Sequence, residues 1–298
     1  MDEIKRIGDY VTVMRDGQYI DTVEVKDMDL DALISMMVGR KIENMYERNY
    51  REPGQVIFET KDLSGWRFRN VNIKVREGEI VSLAGLIGAG RTEIAKAVFG
   101  DEPIEHGSYT LYGKEITKTT PVKSVKNSMG YLSEDRKAEG LVLQIPIQEN
   151  LVAASLSKVF KGGVLNGKIE DEIGKKYVSE LRIATPNAEK LVGELSGGNQ
   201  QKVVIGKWLE TGCTFLIIDE PTRGIDVGAK YEIYEIIDKL ADAGKAVIVI
   251  SSELPELIGI CDRIYTVSYG VVTDNVEKNG FTQEYLMKGM TKEREVAA

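Results

Sequence analysis

The sequence predicts an α/β protein with a largely parallel central sheet and a smaller antiparallel sheet beside it. From residue 55 onward, strand-like runs alternate with helical stretches, which is the order that builds parallel sheets. The apolar run TFLIID (214–219) has the composition of a strand buried on both faces. Two early runs, VIFET (56–60) and VNIKV (71–75), follow each other with little helix between them, which indicates the antiparallel subdomain.

The remaining strand-like runs and one helix-rich segment complete the predicted core. The runs are EIVSLAG, SYTLYG, MGYLS, AVIVISS and RIYTV. Residues 144–194 have mainly helical patterning, so we predict a helical subdomain over about 144–200. With 298 residues, of which 42% are hydrophobic, the chain can bury a sizeable core.

Composition excludes several classes of protein. No apolar stretch approaches the roughly 20 residues that span a bilayer, and MDEIKRIGDY lacks the apolar core of a secretion signal, so we expect a cytoplasmic chain. The net charge of -8 argues against a nucleic-acid partner. One histidine, His106, supplies neither a metal cluster nor a catalytic triad, and we expect it in a solvated turn. Cys213 and Cys261 lie among apolar neighbours, which predicts buried thiols rather than a disulfide framework.

The N-terminal segment repeats the C-terminal one at a constant offset. The identical pairs include Glu3 and Glu256, Ile7 and Ile260, Asp9 and Asp262, Gly17 and Gly270, Asp21 and Asp274, Glu24 and Glu277, Leu33 and Leu286, and Met37 and Met290. Self-similarity at a fixed offset indicates a duplicated unit. We therefore expect residues 1–39, a hairpin and a helix over 28–39, to be the end of a first copy truncated at Met1. An unrelated N-terminal hairpin and helix is the alternative.

Two further segments follow from this interpretation. Residues 40–54 are charged and end in Pro-Gly, which is typical of a linker. Residues 55–298 would then form a complete second copy.

A glycine-rich loop after EIVSLAG has the composition of a P-loop, in which backbone N–H groups and a helix start hold a phosphate. Thr92 would hold Mg²⁺ through its hydroxyl. The loop has Arg91 where a P-loop has Lys, and the planar guanidinium is not equivalent to an ammonium at a phosphate. Phosphate binding can survive this change while catalysis weakens. The candidate residues are Gly85, Gly88, Ala89, Gly90, Arg91, Thr92 and Glu93.

The acidic pair that ends the run TFLIIDEP predicts the chemistry of the site. Carboxylates at the carboxyl end of a parallel strand lie where ligands bind. Asp219 would orient Mg²⁺ and its waters, and Glu220 would act as the general base for an attacking water.

A second anion cradle lies at LSGGNQQK (195–202), where a serine and two glycines open an apolar helix. One domain needs only one phosphate cradle. We therefore expect the second one to face a nucleotide that a partner copy holds, and the plain alternative is an ordinary helix cap. The candidate residues are Leu195, Ser196, Gly197, Gly198, Asn199 and Gln200.

With these motifs, residues 55–290 resemble ABC transporter ATPases. IIDEPTRGIDVGAK, LSGGNQQK and SSELPEL are similar to the second domain of the bacterial ribose, galactose and xylose importer family. The resemblance implies a RecA-like P-loop core with antiparallel and helical subdomains, and a head-to-tail pair of domains with two ATPs between them. Residues 195–200 then form the signature, and Asp226 belongs to a loop where the two domains touch.

The resemblance also exposes two departures besides Arg91. Glu134, in MGYLSEDR, stands where most ABC domains have a Gln that senses Mg²⁺, and Ser252 stands where most have a His that contacts the γ-phosphate. We therefore expect an asymmetric pair. The site on this P-loop hydrolyses poorly, and the intact signature completes a competent site on the other half.

Partners and location follow from the same resemblance. It implies the first domain or a second copy as partner, membrane permease subunits, and indirectly a periplasmic or extracellular sugar-binding protein, at the cytoplasmic face of the membrane. Residues 118–160 would face the permease, with Leu151, Val152 and Phe160 in contact, and Trp66 or Phe68 could stack on adenine. The alternatives are a non-hydrolysing regulatory half and a soluble protein acting on ribosomes or DNA, which the negative charge disfavours.

Overall fold

The computed structural model describes residues 6–15, 17–27, 32, 33, 36, 51–161 and 164–292. Most of the helix predicted over 28–39 and most of the linker predicted over 40–54 lie outside these residues.

Strands account for most of the core that positions the site. They are β1 (Tyr10–Arg15), β2 (Gln18–Glu24), β3 (Val56–Gly65), β4 (Phe68–Val71), β5 (Lys74–Arg76), β6 (Ile80–Gly85), β7 (His106–Leu111), β8 (Lys114–Ile116), β9 (Met129–Leu132), β10 (Phe160–Lys161), β11 (Val164–Leu165), β12 (Phe215–Asp219), β13 (Ala246–Ser251), β14 (Arg263–Ser268) and β15 (Val271–Glu277).

The helices lie mainly in the connections between these strands. They are α1 (Arg91–Phe99), α2 (Pro121–Lys126), α3 (Ile147–Val152), α4 (Leu156–Val159), α5 (Gly167–Glu180), α6 (Gly197–Thr211), α7 (Val227–Asp242), α8 (Leu254–Ile260) and α9 (Gln283–Met290). No helix in the described ranges combines the length and the apolarity that crossing a bilayer requires.

A six-stranded sheet in the order β15-β14-β6-β13-β12-β9 forms the centre of the molecule. Every neighbouring pair is parallel except β14 and β15. All residues of β6, β12 and β13 are buried, because helices cover both faces of a parallel sheet. These three adjacent strands end at the same edge, which places the loops that follow Gly85, Asp219 and Ser251 side by side. The predicted α/β class is confirmed.

The predicted antiparallel subdomain is also confirmed. Strands β4, β3, β7 and β8 form an antiparallel sheet in that order, and β5 also pairs with β3. The ring of Phe58 in β3 stacks on that of Phe215 in β12, with centroids 4.6 Å apart. This buried contact joins the two sheets into one hydrophobic core.

The helix-rich segment holds α3, α4 and α5 together with the short hairpin β10–β11. Helix α3 packs on α5 and on α6. The side chains of Leu151 and Val152 in α3 are buried in this packing. Our prediction that they contact a membrane subunit is therefore wrong, because helix-to-helix packing inside the chain already covers them. Phe160 is half exposed and available for contact.

The N-terminal hairpin has the same backbone pattern as the C-terminal hairpin. Tyr10 pairs with Glu24 across β1 and β2, and Arg263 pairs with Glu277 across β14 and β15, at the offset found in the sequence. The register shift lies at Val13–Met14 in the first hairpin and at Thr266–Val267 in the second, which is the same offset. The 3-10 turn that follows each hairpin, Val25–Asp27 or Lys278–Gly280, also keeps this offset.

The two cysteines and the histidine lie in different surroundings. Cys213 and Cys261 are buried thiols outside any disulfide, as expected. His106 is exposed, although it begins β7 rather than lying in a turn.

Candidate functional site

The glycine-rich loop between β6 and α1 forms a backbone cradle. Gly88 and Gly90 have φ values of 79° and 97°, which L side chains rarely adopt. A Cβ at Gly85 would lie 2.6 Å from the carbonyl oxygen of Val267, so the loop has no room for a larger residue there. The first N–H groups of α1 have no partners within the helix and carry partial positive charge. The loop can therefore bind an anion.

The side chain of Arg91 is buried next to this loop. Its Nη1 donates to the backbone carbonyl of Ser251 at 2.6 Å, and its Nη2 lies 3.8 Å from Oε1 of Glu220. Burial lowers the pKa of Arg91, while the carboxylates of Glu220 and Asp219 oppose this shift. Arg91 thus bridges the end of β13 and the predicted general base, and protein groups already engage both terminal nitrogens.

Asp219 is completely buried at the end of β12. Its Oδ2 accepts a hydrogen bond from the hydroxyl of Tyr131 at 3.4 Å, and its Oδ1 has no hydrogen-bond partner. Burial raises the pKa of Asp219 to about 6, and the nearby Thr92 hydroxyl opposes the shift. A buried carboxylate oxygen without a partner, beside a hydroxyl, is a donor set that fits Mg²⁺.

Glu220 follows in a conformation that is unusual for a residue with a side chain. Its φ is 47°, and its N–H donates to the carbonyl of Ile250 at 2.7 Å, which fixes the backbone. Its Oε2 accepts from the hydroxyl of Ser252 at 3.4 Å. Burial raises the pKa of Glu220, and Arg91 opposes the shift. A partly buried carboxylate with a raised pKa is suited to proton transfer.

Gly88, Arg91, Thr92, Glu220 and Ser252 line one cavity of about 350 Å³, and the buried Asp219 lies next to Glu220 without lining it. Its wall includes three pairs of a cation and a carboxylate: Arg91 with Glu220, Arg223 with Glu134, and Lys230 with Glu253. The Lys230 ammonium lies 2.6 Å from Oε1 of Glu253. The structure therefore brings the predicted P-loop, Glu134, Glu220 and Ser252 together. Glu93 lies outside this wall and accepts from Arg67 at 3.0 Å.

The predicted signature forms a separate cradle at the start of α6. The hydroxyl of Ser196 accepts from the side-chain amide of Asn199 at 2.8 Å, and it also accepts from the backbone N–H of Asn199 as an N-cap. A Cβ at Gly198 would lie 2.4 Å from that of Ala229 in α7. None of residues 195–200 is among those lining the cavity described above. Ser196 is exposed to solvent and lies outside the lining of that cavity.

Two of the predicted signature residues point inward. Leu195 is buried, and the side chain of Gln200 is buried with its amide 3.3 Å from the carbonyls of both Val192 and Leu195. Gln200 therefore supports the turn before α6. Its contact with a partner's nucleotide stays a prediction, and this inward orientation does not support it.

The remaining predicted residues have clear positions. Asp226 caps α7, because its Oδ1 accepts from the N–H of Ala229 at 2.9 Å. Phe68 is buried in the core, which excludes it as a base-stacking residue. Trp66 is exposed, donates to Glu102 at 2.9 Å, and has the guanidinium of Arg67 above its ring. Of the two aromatic candidates, Trp66 alone has a face open to a ligand.

Sequence reasoning missed several residues that hold the loops of the site. Glu256 is buried and accepts from the hydroxyls of Thr222 and Ser251, which ties the segment after Glu220 to the end of β13. Arg136 donates to two carbonyls of the segment 223–226. The available sequence signal was the charge cluster SEDRK around Arg136.

Comparisons with known proteins agree with this geometry. The chain is 43% identical over 288 residues to the ribose import ATP-binding protein RbsA of Lactococcus lactis subsp. cremoris, with 97% of this chain and 58% of the relative covered. It is 44% identical to a putative ribose/galactose/methyl galactoside import ATP-binding protein 2 of Burkholderia cenocepacia, with 98% and 58% covered. The chain therefore spans less than two thirds of these relatives.

Solved structures show the same fold. A nucleotide-free ATP-binding cassette from an ABC transporter superposes with a TM-score of 0.67 at 19% identity, over 79% of this chain and 95% of that one. A dimeric cassette in a post-hydrolysis state bound to ADP and Pi gives 0.65 at 20% identity, over 76% and 100%. The sequence model of the ABC transporter family matches residues 68–223, and with the P-loop, the acidic pair and the α/β core in place, this chain belongs to the ABC transporter family.

Proposed function

We propose that this chain binds Mg²⁺-ATP in the cavity between its P-loop and Glu220 and hydrolyses it. The observation that carries the proposal is the convergence of three strand ends, β6, β12 and β13, on that cavity. They bring a phosphate cradle, a buried carboxylate and a base candidate to one place. ATP is the substrate that uses all three.

Each residue has a role in this proposal. Gly85, Gly88 and Gly90 let the loop amides approach the β- and γ-phosphates. Thr92 and Asp219 would hold Mg²⁺, which supplies positive charge to the phosphates when bound. Glu220 accepts the proton of the attacking water, and the hydroxyl of Ser252 orients its carboxylate.

We assign the second cradle to a nucleotide held by a partner. Ser196, Gly197 and Gly198 are not among the residues that line the chain's own cavity, and Ser196 is exposed, so they complete a site only if another cassette docks there. The likeness to a dimeric cassette supports this arrangement. The partner is a tandem first domain or a second copy of this chain.

The repeated hairpin supports a tandem arrangement. We propose that residues 1–39 correspond to the end of a first ABC domain, 40–54 to a linker and 55–298 to a second domain with a helical subdomain over about 144–200. Hairpin β1–β2 repeats β14–β15 in register, in bulge and in the following turn.

The wider role is import of a monosaccharide. The relatives are named for ribose and galactose import, and a permease and an external sugar-binding protein would complete such a system at the cytoplasmic face of the membrane. Within the pair, we assign weak hydrolysis to this chain's own site. Arg91 neutralises the base Glu220, and Ser252 offers no cation to the γ-phosphate.

A second function has one specific observation in its favour. The Arg91–Glu220 contact, 3.8 Å between Nη2 and Oε1, pairs the P-loop cation with the base and opposes the use of either in catalysis. A half that binds ATP without turnover, and regulates its partner, would have this arrangement.

Hydrolysis of Mg²⁺-ATP by the purified chain distinguishes the two functions. We expect slow turnover that Glu220→Gln abolishes while ATP binding persists, measured at protein concentrations that allow self-association. Binding without turnover in the unsubstituted chain assigns the regulatory role, and absence of ATP binding overturns both.

A further inference from the structure

The guanidinium of Arg136 lies where three segments of the chain meet. Its Nη1 donates to the carbonyl of Arg223 at 2.7 Å, and its Nη2 donates to the carbonyl of Gly224 at 3.2 Å. On the other side, a Cβ at Gly197 would lie 2.7 Å from that Nη2 and 3.0 Å from the carbonyl oxygen of Gly224. One planar side chain therefore fills the space between residues 134–136, residues 223–226 and the start of α6.

Residues 223–226, which we call the RGID loop, are fixed at both ends but exposed in the middle. Thr222 before the loop donates to the buried Glu256 at 3.1 Å, and Asp226 caps α7 at the other end. In the middle, Gly224 has a φ of 66° and is exposed. The two carbonyls that Arg136 holds belong to this exposed middle, so Arg136 fixes the part of the loop that the end contacts leave open.

The contact requires the shape of arginine as well as its charge. Two consecutive carbonyls are engaged by two different nitrogens of one rigid plane. A lysine ammonium is a compact point charge on a flexible stem and cannot reproduce this fork. The Arg223 side chain meanwhile pairs with Glu134, so the same two segments are joined a second time.

We propose that Arg136 is a positioning residue that locks the RGID loop and the start of the signature helix to the Glu134 segment. A displacement of that segment is then transmitted to the two elements that face the partner's nucleotide. This inference rests on the proposed function, because the signature is assigned there to a partner's nucleotide, and on the resemblance that places Asp226 of the RGID loop where two domains touch. Arg136 itself does not line the chain's own nucleotide cavity, although Arg223 and Gly224 do, so own-site affinity and pairing must be measured separately.

Amide hydrogen exchange on the purified chain tests the lock without any nucleotide. In Arg136→Lys, peptides covering 222–226 and 197–200 should exchange about tenfold faster, as expected for loss of a charge-assisted hydrogen bond. Peptides from β6 should exchange at the rate of the unsubstituted chain. Lys137→Gln is the matched control, because Lys137 is an exposed cation in the same segment. Unchanged exchange in both peptides, or equal acceleration throughout the chain, overturns the proposal.

Nucleotide measurements then separate this inference from the proposed function. The affinity of Arg136→Lys for a fluorescent ATP analogue should equal that of the unsubstituted chain, whereas ATP-driven pairing with the tandem first domain, or with a second copy, should weaken about tenfold. An equal loss of own-site affinity overturns the positioning role. Failure of the unsubstituted chain to bind ATP overturns the proposed function. The hydrogen-exchange result does not depend on ATP binding, so it still tests the contact made by Arg136.

Discussion

The two anion cradles of this chain have similar backbones and different surroundings. Both place glycines at the start of a helix, α1 or α6. The P-loop cradle is backed by the buried charges of Arg91 and Asp219 and opens into a cavity of its own chain. The second cradle is held by the neutral Ser196 and Asn199 and faces solvent. A helix N-terminus by itself supplies phosphate affinity, and the groups around it determine whether chemistry can follow.

The largest effect we expect comes from breaking the second cradle alone. Gly198→Ala places a methyl group 2.4 Å from the Cβ of Ala229, so α6 and α7 must separate. A shift on the order of 1 Å costs about a hundredfold in the turnover of the partner's site. ATP hydrolysis by the assembled pair should fall by that factor, while ATP binding to this chain's own P-loop is unchanged.

A matched glycine substitution controls for the added methyl. A Cβ at Gly167, the first residue of α5, would have no neighbouring atom within 4 Å, so Gly167→Ala should leave turnover intact. Equal losses in both variants would contradict the assignment of the second cradle.

The next effect comes from making the first cradle resemble an ordinary P-loop site. The triple substitution of Arg91→Lys, Glu134→Gln and Ser252→His removes the guanidinium from Glu220 and supplies a side chain that can donate to the γ-phosphate. We expect turnover at this site to rise about tenfold, which corresponds to about 1.4 kcal/mol of barrier. Steady-state hydrolysis by the full-length protein measures it. Unchanged turnover would show that these departures do not limit the site.

A smaller effect concerns the contribution of the Ser196 N-cap to the stability of the second cradle. Ser196→Ala removes the N-cap of α6 and should lower the free energy of unfolding by about 1 kcal/mol. Urea denaturation measures this loss, and Thr at the same position should restore most of it. A stability equal to that of the unsubstituted chain would mean that the cap contributes nothing.

The smallest effect is a pH dependence on the P-loop side. Burial raises the pKa of Glu256, so protonation of this carboxyl favours the folded state. The stabilisation is complete below the unfolded pKa of about 4.3 and is lost as the pH rises through the higher folded value. In Glu256→Gln the unfolding midpoint should therefore fall less as the pH rises from the unfolded pKa through the folded pKa of Glu256. A parallel pH profile in both proteins would contradict this.

Sequence reasoning located the elements of the fold because their signals are local. The buried strand 214–219, the glycine loop and the acidic pair each occupy consecutive residues, and the parallel order brings their ends together. The sequence also identified Arg91 as a departure from a P-loop. The direction in which the Arg91 side chain points was not predictable, because the carbonyl that it contacts belongs to Ser251, 160 positions away in the sequence.

Errors in the site have the same physical origin. Leu151, Val152 and Phe68 are apolar residues near predicted functional surfaces, and the sequence does not show which neighbours cover them. Tertiary packing buries all three. Arg136 was missed for the converse reason: the charge cluster around it marks the segment, but its acceptors are backbone carbonyls, which a sequence pattern does not identify.

Each cation in the wall of the nucleotide cavity is already paired with a carboxylate of the chain. Arg91, Arg223 and Lys230 each have a carboxylate beside them, so the wall holds balanced charge before any ligand arrives. A lone chloride or phosphate must compete with a tethered carboxylate for each cation and gains little by doing so. A triphosphate also binds the loop amides, and its several charged oxygens can replace more than one of these carboxylates at once. We therefore expect the cavity to discriminate against small anions in favour of a triphosphate.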